Sequence, residues 1–166
     1  LYTVGRQGNT DKLNLAAAGL TADARGRIKV NECFQTAVPH VYAAGDVIGF
    51  PALASTSMEQ GRLAALHMFE QKCGINSDLL PYGIYSVPEI SMVGKTEEIL
   101  TKDAVPYEIG VSRYREISRG KLLGDETGML KLLFHRDTRK LLGVHAIGTN
   151  ATELIHVGQA VLAFGG

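Results

Sequence analysis

The stretch richest in chemical content is Val41-Tyr42-Ala43-Ala44-Gly45-Asp46-Val47-Ile48-Gly49-Phe50-Pro51. Asp46 supplies an acceptor-only carboxylate, suited to hydroxyl donors such as those of a polyol. Gly45 removes the side chain where the backbone must turn sharply or approach a ligand closely. Beyond Pro51, the small residues Ala52, Ala54, Ser55, Thr56 and Ser57 lead into a helix. Free N–H groups and the positive end of the dipole at such a helix start stabilise negative charge. A carboxylate beside that helix start can hold a polyol and an electron-rich ring together. No residue reads as a catalytic acid, base or nucleophile, and none as a metal ligand. The lone His156 reads as structural.

These residues need elements to position them. Residues 41–44 form an apolar run suited to a buried strand of a parallel sheet. In doubly wound sheets, ligands bind beyond the carboxyl ends of such strands. The following helix is expected over residues 53–72, closed by Gly74, with Thr56-x-x-Glu59 as a capping box. Gly61, Ala64 and Ala65 make it slim for close packing, while Met58, Leu66 and Phe69 supply bulk. Upstream, residues 1–4 read as a strand stopped by Gly5. Residues 13–20 form a short helical turn stopped by Gly19, and Arg25-Gly26-Arg27 turns into a short strand over 28–30.

The composition shifts at Pro81. Thr96 reads as an N-cap, with Glu97 and Glu98 in the first turn as the dipole prefers. Strands are expected over 107–111, 129–134 and 141–147, the last two joined by the polar loop Asp137-Thr138-Arg139-Lys140, which makes an antiparallel sheet. Arg113, Arg115, Arg119 and Lys121 form a basic, solvated face. A last helix runs over 151–164 from the start signal Asn150-x-x-Glu153, with Leu154, Val157, Gly158, Val161 and Leu162 on its apolar face.

Hydrophobic residues make up 45% of the 166, enough for a packed core. Lys+Arg and Asp+Glu both number 17, so neither a nucleic-acid footprint nor a polybasic membrane patch is present. The apolar runs are too short for a membrane span, and no signal peptide is visible. Cys33 and Cys73 lie far apart and read as free thiols of a reducing, cytoplasmic compartment. The chain opens inside an expected strand and stops just after an expected helix, which reads as a fragment of a longer protein.

Tyr42-Ala43-x-Gly45-Asp46 resembles the second flavin-binding motif of the FAD-dependent pyridine nucleotide-disulfide oxidoreductases. Tyr85 to Glu97, with Pro88-Glu89, an apolar strand, Gly94 and Thr96-Glu97, resembles the opening of their dimerisation domain. Gly5-Arg6-x-x-Asn9-Thr10 resembles the exit from their NAD-binding domain, with Gly8 where a Pro is usual. The resemblance implies an α/β fold: the returning part of an FAD-binding doubly wound domain, then an α+β dimerisation domain with an antiparallel sheet. Residues 1–10 would end the NAD-binding domain, 11–80 would belong to the FAD-binding domain, and 81–166 would be a truncated dimerisation domain.

The same resemblance implies that Asp46 accepts from the FAD ribityl hydroxyls at the Gly45 turn. The backbone amides of Leu53 and Ala54 would face the flavin's pyrimidine edge, and Gly5 would lie close to the nicotinamide nucleotide. Val47-Ile48-Gly49, Gly83-Ile84-Tyr85, Leu133-Phe134-His135-Arg136 and Ile155-His156-Val157-Gly158-Gln159-Ala160 look most like the branch that passes reducing equivalents between NADPH and NAD through FAD. That implies an enzyme with NAD and NADP as substrates, inactive as this fragment alone. It also implies a homodimer or higher homo-oligomer formed through residues after Pro81. A dihydrolipoamide dehydrogenase-like disulfide oxidoreductase would share these motifs. A reading from a different class is an isolated, non-catalytic dimerisation module.

Overall fold

Strand-forming residues concentrate in the second half of the chain, and there the computed structural model, which describes residues 5–71 and 79–166, holds one five-stranded antiparallel sheet. The chain divides into two units, Leu1–Ile75 and Asn76–Gly166. The expected strand over 1–4, together with Cys73 and Gly74, lies outside the described residues.

In the second unit the strands are β1 (Tyr82–Ile84), β2 (Ile90–Gly94), β3 (Tyr107–Arg113), β4 (Met129–His135) and β5 (Leu141–Ile147). Their spatial order is β1-β2-β5-β4-β3, with every pair antiparallel. The loop between β4 and β5 closes as expected: His135 N–H donates to the Lys140 carbonyl, and Arg139 N–H to that of His135, both at 2.9 Å. A short helix α2 (Glu97–Lys102) follows β2, and the Thr96 hydroxyl accepts from Ile99 N–H at 3.3 Å, as its N-cap position requires. Helix α3 (Ser118–Leu123) follows β3.

Helix α4 (Ala151–Ala163) packs on β5 and β2, where Val93, Val144 and Ile155 form the core with Leu130, Leu132, Leu141 and Leu162 beside them. Its expected apolar face is corrected. Gly158 and Leu162 face the sheet, but Leu154, Val157 and Val161 are exposed and Ile155 takes their place. Apolar residues run most of the way round this helix, so period alone does not select the inner face. Gly158 does: a Cβ there would stand 2.7 Å from a Val144 methyl. The start of α4 differs in mechanism as well. Asn150 occupies the N-cap but makes no side-chain bond. The Glu89 carboxylate caps instead, accepting from Thr152 N–H at 3.0 Å and from its hydroxyl at 2.6 Å. Those bonds hold the Glu89 carboxyl below the usual carboxylate range.

The first unit carries little regular structure besides α1 (Ala54–Met68) and the 3-10 turns Leu15–Ala18 and Gly45–Ile48. The expected strand over 41–44 makes no ladder among the described residues. Tyr42 forms one isolated bridge to Gln35, and Ile28 one to Ala22. Residues 41–43 turn back on 34–36 instead, antiparallel: Ala43 N–H donates to the Phe34 carbonyl at 3.0 Å and Thr36 N–H to the Val41 carbonyl at 2.9 Å, and among the described residues no parallel partner extends the pairing into a ladder. Helix α1 ends earlier than expected, and Leu53, not Thr56, is its N-cap. Thr56 is buried in the first turn, and Glu59 pairs with Arg62 at 2.6 Å in place of a capping box. Met58 and Phe69 are exposed, whereas Phe34, Leu63 and Ala64 form the core with Val30, Tyr42, Ile48 and Leu66 packed on it. Cys33 is disulfide-bonded, which corrects the expectation of a free thiol at that position.

Candidate functional site

Asp46 sits in the 3-10 turn Gly45–Ile48, directly after a buried Gly45 with φ +82°. That conformation strains any residue with a Cβ, so glycine belongs there. A Cβ on Gly45 would also stand 3.2 Å from the Ser57 hydroxyl, so the turn lies close against the first turn of α1. The turn is fastened on several sides. Gly45 N–H donates to Gln60 Oε1 at 2.7 Å, Ile28 N–H to the Val47 carbonyl at 2.9 Å, and Gly49 N–H to the Asp46 carbonyl at 3.1 Å. The Tyr42 hydroxyl meets His67 Nδ1 at 2.7 Å at the far end of the same helix.

The Asp46 side chain itself is exposed, and among the described residues no hydrogen bond or ion pair reaches its carboxylate. Leu53 and Ala54 stand at the adjoining helix start, and no side chain caps that N-terminus. Gly45, Asp46, Leu53 and Ala54 are therefore brought together: an acceptor-only carboxylate next to a helix start without a side-chain cap, where Leu53 N–H donates to the Pro51 carbonyl at 3.1 Å. Gly5 is exposed with φ +86°, and a Cβ there would meet nothing within 4 Å.

Gly8, the position where the family motif has Pro, has its own physical reason. Its N–H donates to the Arg25 carbonyl at 2.8 Å, and a Cβ would stand 2.1 Å from the Gly26 carbonyl oxygen. Proline offers no N–H for that bond. The facing turn is held by Asp23, whose carboxylate accepts from Arg25 and Arg27 N–H at 2.8 and 2.9 Å and pairs with the Arg27 guanidinium at 2.7 Å. The Arg27 side chain, then its backbone N–H, lowers the Asp23 carboxyl to about 2. Arg27 also lies against Gly49, where a Cβ would be 3.1 Å from its Cδ.

Sequence reasoning missed Gln60, His67, Asp23 and Glu89 as supporting residues. The one signal present was Gln60, a polar residue three and four positions before the buried Leu63 and Ala64.

The family follows from comparison. A profile of the pyridine nucleotide-disulphide oxidoreductase dimerisation domain matches residues 80–166, and one of pyridine nucleotide-disulphide oxidoreductases matches residues 1–61. The chain belongs to the pyridine nucleotide-disulphide oxidoreductases. It is 60% identical over 166 residues to a soluble pyridine nucleotide transhydrogenase of Mycobacterium tuberculosis, covering 100% of this chain and 36% of that protein. It is 52% identical over 163 residues to that of Aliivibrio fischeri, covering 98% and 35%. The chain thus spans 36% or less of these relatives' length.

Among solved structures, LpdA from Mycobacterium tuberculosis has a TM-score of 0.84 at 26% identity, covering 98% of this chain and 36% of its own. The Cu(II) complex of the HOCl-induced flavoprotein disulfide reductase RclA from Escherichia coli has a TM-score of 0.82 at 25% identity, covering 98% and 37%. Among the described residues, no helix is long and apolar enough to cross a membrane, and no cluster of ligating side chains is arranged for a metal.

Proposed function

We propose that this chain is part of a flavoprotein oxidoreductase that transfers reducing equivalents between NADPH and NAD through FAD. One observation carries the site: the exposed Asp46 carboxylate, without a protein partner among the described residues, stands on a turn packed against the uncapped start of α1. The residues fit the cofactor. Asp46 accepts from ribityl hydroxyls, and the helix start at Leu53 and Ala54 faces the pyrimidine edge, with Ala54 N–H donating and the Leu53 N–H shared with the Pro51 carbonyl, where the helix dipole favours negative charge. Bound FAD supplies hydride exchange with nicotinamides, while the chain binds and orients it. Gly5 lies close to the nicotinamide nucleotide in this reading.

Residues 1–10 then end the NAD-binding domain, 11–80 belong to the FAD-binding domain, and 81–166 form the dimerisation domain. The intact enzyme is a homodimer or higher homo-oligomer assembled through residues after Pro81. It works in the cytoplasm, and this piece alone is inactive. The 60% identity to a transhydrogenase over the whole chain supports this reading over a dithiol-linked one, which rests on likeness at 25% to a disulfide reductase.

The test is Asp46→Ala in the full-length protein carrying this chain. Losing an acceptor that is charged is expected to weaken FAD binding about 10- to 100-fold, read as flavin retained after dialysis. Full retention would sink the site assignment. Transfer from NADPH to an NAD analogue without any dithiol checks the reaction; activity only with dihydrolipoamide and NAD would move the protein to the disulfide branch.

A further inference from the structure

We infer that Gln60 is a positioning residue for the cofactor site, acting on Asp46 through the backbone of Gly45; this rests on the FAD reading above. Gln60 lies on α1 in register with Leu63, Ala64 and His67, a spacing that puts all four on one side of the helix. Leu63 and Ala64 are each 4% exposed in the apolar cluster with Phe34, and Gln60 is 3% exposed. A polar amide at such depth is unfavourable unless it is bonded. The bond it makes is to Gly45, whose N–H reaches Gln60 Oε1 at 2.7 Å. Only the oxygen end of the amide can accept from an N–H, so the orientation of the side chain follows from its partner.

Gly45 is buried, so its N–H has no water to turn to and would stand unpaired without Gln60. The bond therefore sets the height of the turn above α1 and the place where the next residue, Asp46, begins. Asp46 has no protein partner of its own among the described residues to aim its carboxylate. Its position is set by the backbone on which it stands. Gln60 touches no reacting atom; it fixes the residue that does the binding.

The experiment is a double-mutant cycle in the full-length holoenzyme, with FAD itself as the titrated ligand. Gln60→Met keeps the side-chain length and removes the acceptor, and is expected to weaken FAD about 10-fold. Gln60→Glu keeps an oxygen in place and is expected to stay within about 3-fold of the parent, which tests the role even if the Met variant does not fold. The decisive arm is Gln60→Met combined with Asp46→Ala. A residue that acts through Asp46 leaves the double variant no weaker than Asp46→Ala alone, within about 2-fold. Losses that multiply would make Gln60 an independent packing residue and overturn the inference. Weakening by Asp46→Ala with full FAD affinity in Gln60→Met would also overturn it, leaving the site intact. Full affinity in Asp46→Ala would instead remove the site assignment, and the inference with it.

Discussion

Replacing Gly8 by Pro, the residue the family motif carries there, is expected to weaken this protein. The Gly8 N–H bond to the Arg25 carbonyl, 2.8 Å long, disappears because proline has no hydrogen to give. A Cβ at this position would stand 2.1 Å from the Gly26 oxygen and 2.7 Å from its carbon. Both are backbone atoms, so no rotamer relieves the overlap and the facing turn must retreat by roughly 1 Å or more.

The lost bond costs about 1 kcal/mol, and the overlap about 1–3 kcal/mol. The stiffer unfolded chain returns about 0.4–1 kcal/mol. The balance is about 1–3 kcal/mol of local destabilisation, equivalent to a drop of about 5- to 150-fold in amide protection. Hydrogen exchange at Gly26, Arg27 and Ile28 in the full-length protein reads it. Ile28 donates to Val47 in the turn that carries Asp46, so the disturbance should also reach flavin retention. Gly8→Ala keeps the N–H and the overlap and should lose nearly as much. Unchanged protection in both variants would refute the close approach of the two backbones.

Three further outcomes follow from the structure. Glu89→Ala should fray the start of α4, seen as faster exchange of the Thr152 amide, with Glu89→Gln keeping part of the protection because one acceptor oxygen remains. Leu133→Ala removes a side chain with 0% exposure and should destabilise the sheet by about 2–5 kcal/mol in denaturant unfolding. The Asp23 carboxyl, lowered from 3.8 to about 2, keeps its charge in the folded turn, so its contribution is present above the unfolded value and lost as the pH falls through the folded one. Arg25 and Arg27 amide shifts should change with a midpoint at about pH 2, and Asp23→Asn should abolish that change.

The sheet was the most legible part of the chain. Residues 141–147 are a mostly apolar run behind the polar loop 137–140 and appear as β5 at the expected bounds, while β3 runs two residues further and β4 one. Local chemistry also placed Thr96 as a cap, because its partner is three residues away. Features that depend on distant partners were not legible. Residues 41–44 have the composition of a buried parallel strand, but among the described residues they bond only to the antiparallel stretch 34–36 and make no parallel ladder. Gln60 and Glu89 act across 15 and 63 positions, and no local pattern reveals such pairs. At the candidate site, the Gly45-Asp46 pair and the helix start were readable from residue types. The support beneath them was not.

The strand order carries a consequence for the time course of folding. Two pieces can assemble from near neighbours, the β1–β2 hairpin and the β3–β4–β5 meander. Joining them requires β2 to find β5, pairing Ile90 with Ile147. Closing that long loop carries an entropic penalty that rises slowly with length, of order 1.5RT ln n, and must precede any reward from the contact. The meander should therefore form early, with β2 and the Glu89 cap on α4 arriving late. During synthesis the β1–β2 hairpin emerges before the meander, and β2 waits with its β5-facing edge unpaired, a period of exposure to wrong partners. Substitutions in β4 and β5 should slow folding, whereas those in β2 should mainly speed unfolding.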